Sequence, residues 1–103
     1  MQKIAFKMYL KPGYEEEYKK RHHEIWPELK QLLKESGISD YTIFFDKESN
    51  VLFAVQKIEG KNSQKLGENE VVKKWWAYMA DIMGTNADNS PLSDPLKEVF
   101  HMD

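Results

Sequence analysis

The 103-residue sequence contains no cysteine, which removes disulfides, thiolate metal sites and thiol nucleophiles together. That absence fits a reducing compartment. Long apolar runs are also missing: no stretch approaches the ~18 consecutive apolar residues that a membrane-spanning helix needs. The opening residues Met1-Gln2-Lys3-Ile4-Ala5-Phe6-Lys7 lack the unbroken apolar block of a secretory signal and read as a strand instead. A soluble, cytoplasmic protein without membrane attachment is therefore expected. There is no excess of positive charge. The formal net charge is −2, so nothing argues for a nucleic-acid partner. Glycine-rich phosphate loops, serine or cysteine nucleophile motifs, dinucleotide fingerprints and zinc-ligand spacings do not occur either. Neither cofactor nor metal is expected. Proton transfer by side chains is the chemistry that remains.

What is present is the composition of an ordinary globular domain, 41% apolar and 13% aromatic. The length suits one domain over residues 1–103, and a chain of this size buries roughly 65% of its unfolded surface. Residues 3–11 alternate, with Ile4, Phe6, Met8 and Leu10 opposite Lys3, Ala5, Lys7 and Tyr9, the period of a strand. Pro12-Gly13 ends it. Tyr14, Tyr18, Ile25, Leu29, Leu32 and Leu33 then fall on one helical face, with Glu15, Glu16 and Glu17 at the start and Gly37 as a stop. Strands are expected over residues 41–45 and 51–58, joined by a polar turn over residues 46–50. Residues 60–69 are polar and irregular, with room for a short helical turn. Helical spacing resumes through Val71, Val72, Trp75, Trp76, Met79, Ile82 and Met83. After a loop over residues 84–91, residues 96–102 are expected to supply a last strand through Leu96, Val99 and Phe100. The order is βαββαβ, an α+β, ferredoxin-like arrangement with an antiparallel sheet and helices on one face.

Two strands carry apolar residues on both faces. Val51, Phe53 and Val55 oppose Leu52, Ala54 and Ile58, and Phe44 sits opposite Tyr41, Ile43 and Phe45. A sheet with one wet face alternates more cleanly. Two helices cover one face, so a second subunit is expected on the other.

The segment most informative about chemistry runs through residues 18–29. Tyr18 and His22 are four apart and share a helix face. Pro27 lacks an N–H and biases Trp26 away from helical geometry. A helix over residues 14–35 would otherwise run about 33 Å, so a break is expected near Trp26, with His22 one turn before it. On spacing alone, a lone histidine on a partly apolar face is more often structural, and His23 and His101 read as solvent-facing or strand residues without a role. Trp75 and Trp76 diverge by about 100° on a helix. Core packing explains at least one of them. The functional reading is that the indoles wall a pocket for a small polar ligand, to which Tyr41 adds a hydroxyl.

The ordered pattern Tyr18-x-x-x-His22, Ile25-Trp26-Pro27-Glu28-Leu29, Tyr41, Phe44-Phe45-Asp46, Leu52-Phe53-Ala54, Trp75-Trp76-x-Tyr78-Met79, Asp88-Asn89-Ser90-Pro91 and Glu98-Val99-Phe100 resembles the L-rhamnose mutarotase family over essentially the whole chain. The resemblance implies a homodimeric α/β barrel in which two sheets pack face to face, and L-rhamnose as the sugar substrate. It makes His22 the general acid and Tyr18, Tyr41, Trp75 and Trp76 the substrate-binding residues. His23-Glu24 stands where the family commonly has Asn-Pro, the segment before Trp75 is one residue shorter, and His101 replaces an aromatic hydroxyl residue. In the implied reaction, His22 protonates the ring oxygen as the sugar opens and recovers the proton as it closes. A cofactor-independent monooxygenase of the same architecture and a binding module without turnover are the rival readings, with an inert structural dimer as the plainest one. Anomer exchange separates the mutarotase reading from all three.

Overall fold

The structure, a computed structural model, describes residues 2–60 and 66–103. Seven elements follow in order: β1 (Gln2–Tyr9), α1 (Glu15–His23), α2 (Pro27–Glu35), β2 (Ile38–Asp46), β3 (Val51–Ile58), α3 (Glu70–Met79) and β4 (Ser93–Pro95). The strands form one antiparallel sheet in the order β2-β3-β1-β4. This is the expected ferredoxin-like topology, with its first helix divided in two.

Pro27 causes the division. It occupies the first position of α2, while Trp26 before it is extended at φ −59° and ψ 129°. Steric conflict between the pyrrolidine ring and the preceding backbone produces that conformation. The Trp26 carbonyl nevertheless accepts the N–H groups of Leu29 and Lys30, both at 3.0 Å, so the new helix starts without delay. At the far end Gly37 takes φ +89°, and its carbonyl accepts the Glu59 N–H at 2.9 Å. The chain thereby turns from α2 directly into β2, its first residue facing the end of β3. Asn69 caps α3, its side chain accepting the Val71 N–H at 2.8 Å. A short helical turn over residues 66–68 precedes it. The rest of the irregular stretch, residues 61–65, lies outside the described residues.

Register divides the sheet into two faces. Ile4, Phe6 and Met8 of β1 pair with Gln56, Ala54 and Leu52 of β3, which in turn face Ile43 and Phe45 of β2. This face carries the core: Met8, Leu10, Leu52 and Ala54 bury against Tyr18, Met79, Ile82 and Met83. The other face presents Ala5, Lys7, Val51, Phe53, Val55 and Phe44, and Phe44 is 61% exposed. Apolar side chains on both faces are what the alternation indicated.

The last strand differs from expectation. Ser93–Pro95 pairs with Phe6–Met8, and the Leu96 N–H reaches the Ala5 carbonyl at 2.9 Å. Residues 96–103 then run without regular structure, with Val99, Phe100 and Met102 exposed. Reading the apolar residues as the strand overlooked where β1 offers free backbone. Its open edge needs partners rather than side-chain hydrophobicity, and Pro95 suits an edge strand because it has no N–H to leave unpaired.

Candidate active site

Helix α1 places Tyr18 and His22 one turn apart, and the two rings stack at 4.2 Å between centroids. His22 Nδ1 lies 3.0 Å from the Tyr18 carbonyl oxygen. A carbonyl can only accept, so Nδ1 carries the proton and Nε2 of the neutral ring keeps its lone pair. Trp75 of α3 meets the imidazole edge to face, at 5.5 Å and 88°. Behind it Trp26 packs edge-on at 5.1 Å and Tyr78 lies at 5.6 Å, with Trp26 and Tyr78 stacked on each other. The break at Pro27 is what frees Trp26 to turn into this cluster. It thus supports the wall next to the histidine.

Arg21 holds the two walls together. Its Nε donates to Glu17 at 2.7 Å, and Nη1 donates to the Tyr78 carbonyl and to Asp81, both at 2.8 Å. The guanidinium also lies 4.6 Å above the Tyr78 ring. Five directional donors suit arginine to such a junction. Hydrogen bonding from Arg21 holds the Asp81 carboxyl below its usual range. The junction sets the spacing of α1 from the end of α3, and with it the contact of His22 with Trp75.

The helices stand over the sheet and leave a cleft of about 1440 Å³. That is more than one monosaccharide fills, so the polar groups within it must place the ligand. Tyr18, His22, Tyr41, Trp75 and Trp76 all line this cleft. The structure therefore brings all five sequence-derived site residues to one cavity. Trp75 stands beside His22, whereas Trp76 packs over Gly67, where an added Cβ would meet the indole at 3.1 Å. Tyr41 comes from the sheet through a β-bulge. Ser39 pairs with Lys57 and Thr42 with Val55, so Asp40 and Tyr41 together oppose Gln56. Asp40 absorbs the extra residue at φ +48°. Without the bulge, Ile38 and Ile43 could not both face the helices.

Electrostatics follow from the enclosure. Desolvation lowers the His22 pKa below its ordinary 6.5, outweighing the opposing pull of the Tyr18 carbonyl. Burial, reinforced by the nearby Tyr41 phenol, raises that of Tyr18. The cleft walls push Tyr41 up to about 12, although 39% of the residue's surface stays open to the cleft it lines. Both phenols remain neutral hydrogen-bonding groups at neutral pH. The site offers a neutral base, two neutral hydroxyls and aromatic faces, an arrangement suited to a small polyhydroxylated molecule.

Sequence reasoning missed Gln56. It is buried on the core side of β3, across the sheet from the bulged Asp40–Tyr41 pair of β2. The signal was available: in the inward series Leu52, Ala54, Gln56, Ile58, one residue is polar.

The sequence profile described as L-rhamnose mutarotase matches residues 3–102. Over the full length of both chains, this chain is 67% identical to the L-rhamnose mutarotase of Bacteroides thetaiotaomicron and 60% identical to that of Phocaeicola vulgatus. The crystal structure of an L-rhamnose mutarotase from Formosa agariphila superimposes with a TM-score of 0.94 at 56% identity, covering all of both chains.

Proposed function

The chain belongs to the L-rhamnose mutarotase family, and we propose that His22 carries the proton in the reaction of that family on this protein. The protein is an isomerase that interconverts the α and β anomers of L-rhamnopyranose. The observation that carries the assignment of His22 is its tautomer: Nδ1 is committed to the Tyr18 carbonyl, leaving Nε2 to act in the cleft.

Neutral Nε2 accepts the proton of the anomeric hydroxyl as the bond between C1 and the ring oxygen breaks. The imidazolium then gives a proton to the ring oxygen, yielding the open aldehyde. The two oxygens share C1, so one imidazole reaches both. Rotation about C1–C2 and the reverse transfers close the ring on the other face. Tyr18 and Tyr41 orient sugar hydroxyls, and Trp75 and Trp76 offer faces to its C–H surface. The fraction of neutral His22 sets the rate at low pH. Because desolvation moves its pKa below 6.5, kcat/KM should be level around neutrality and fall only as pH drops through that lowered value. The check is a pH–rate profile from pH 4.5 to 8; an acid limb centred above 6.5 would contradict the neutral-base role.

The whole of residues 1–103 acts as one domain and works as a homodimer in this proposal. Support comes from the uncovered face carrying Phe44, Phe53 and Val55, together with the exposed apolar tail. Two such sheets packed face to face would bury both and form an α/β barrel. Sedimentation equilibrium should give twice the 12.2 kDa chain mass; a monomer at micromolar concentration would refute the assembly. A cytoplasmic location fits the absence, among the described residues, of any helix long and apolar enough to cross a membrane, and cell fractionation tests it.

The test of the activity is anomer exchange followed by NMR. One anomeric proton of equilibrated L-rhamnose is saturated, and transfer to the other is measured with and without protein. Transfer that the protein does not accelerate would remove the enzymatic reading and leave a binding site.

A further inference from the structure

We propose that Gln56 is a substrate-binding residue that reads sugar hydroxyls on the floor of the cleft and so contributes to which sugars are accepted. The inference rests on the mutarotase reading and deepens it at the same site.

Gln56 is only 7% exposed, in the middle of a strand whose other inward positions are apolar. Burying an unpaired amide in such surroundings is unfavourable. Among the described residues its amide makes no hydrogen bond, yet no fully buried side-chain nitrogen or oxygen there lacks a partner. The amide therefore opens into the cleft it lines. Its neighbours across the sheet are Ile4 on β1 and the bulged Asp40–Tyr41 pair on β2, and Gln56 and Tyr41 both line the cleft. Tyr41 in turn lies close enough to Tyr18 to affect its titration. Gln56, Tyr41, Tyr18 and His22 thus form a run of polar groups from the sheet floor to the reacting wall.

The chemistry of an amide suits this position. Its oxygen accepts and its nitrogen donates, so one glutamine pairs with two adjacent hydroxyls, each of which does both. It adds no charge that would disturb the His22 proton. A polar group held without a protein partner also selects against ligands that cannot satisfy it. With no protein partner to give up among the described residues, the amide is free to pair with a ligand in the cleft.

The near-isosteric variants Gln56→Met and Gln56→Leu separate this role from simple packing. Loss of ordinary hydrogen bonds to substrate should raise KM for L-rhamnose about 10-fold, with kcat changed less than about threefold. The ratio of kcat/KM for L-rhamnose to that for its 2-, 3- or 4-deoxy analogue should fall toward one for at least one analogue. The melting temperature should change little, because the amide makes no hydrogen bond to the protein among the described residues and the replacements fill nearly the same volume. A lower melting temperature with unaltered discrimination would assign Gln56 to packing and overturn the proposal, as would a wild-type KM in both variants. The two readings fail separately. If the wild-type protein binds L-rhamnose without exchanging its anomers, and Gln56→Met weakens that binding, the enzymatic reading falls and the contact stands.

Discussion

Replacing His22 with alanine should slow anomer exchange of L-rhamnose by about 10²–10⁴-fold, the range general acid–base catalysis supplies. Exchange would then approach the spontaneous rate, while sugar binding, measured by calorimetry, changes only a few-fold. The expectation follows from the division of labour in the cleft. In the proposed roles, Tyr18, Tyr41 and the indoles hold the sugar and survive the substitution, whereas Nε2 of His22 moves the proton. His22→Asn is the sharper variant. Its side-chain amide can still donate to the Tyr18 carbonyl that now binds Nδ1, but it cannot relay a proton at neutral pH. Both variants should lose activity to a similar extent, and added imidazole should restore part of it in the alanine variant. Either protein exchanging anomers at the wild-type rate would show that another group moves the proton.

Gly37→Ala should be the most damaging single-methyl change to the fold. An added Cβ would stand 2.1 Å from the Glu59 carbonyl oxygen, which belongs to the backbone and cannot swing away. Its φ of +89° also lies where side chains are strained, at a cost of about 1–3 kcal/mol before any clash. With the clash included, a loss of at least ~3 kcal/mol is expected, on the order of 10–20 °C in melting temperature for a domain of this size. The comparison must be made at one protein concentration, since any association shifts the midpoint. A melting temperature within about 2 °C of wild type would show that the turn relaxes without resistance.

The parts of the fold legible in the sequence are those decided within a few residues. Proline sterics act on the adjacent peptide, so the residue order Trp26-Pro27 is enough to locate the helix break. Spacing by four puts Tyr18 and His22 on one face whatever surrounds them. Period-two alternation locates β1 and β3 and shows that both faces of β3 are apolar. The fourth strand departs from its expected position for a different reason. Strand pairing there depends on where β1 exposes free backbone, and that edge is created by chain segments some 85 residues apart, as the contact between Tyr9 and Asp94 shows.

The site divides along the same line. Residue types and order sufficed to assemble Tyr18, His22, Tyr41, Trp75 and Trp76 as candidates and to indicate the family, because those features are local or additive along the chain. Only the tertiary structure brought Tyr41 opposite Gln56 across the sheet, through a bulge that a linear pattern does not register. Only it committed the proton of neutral His22 to Nδ1 and moved its pKa downward. Register and desolvation arise from distant segments meeting, and their effects on hydrogen bonding and charge appear once the chain has closed around the cleft.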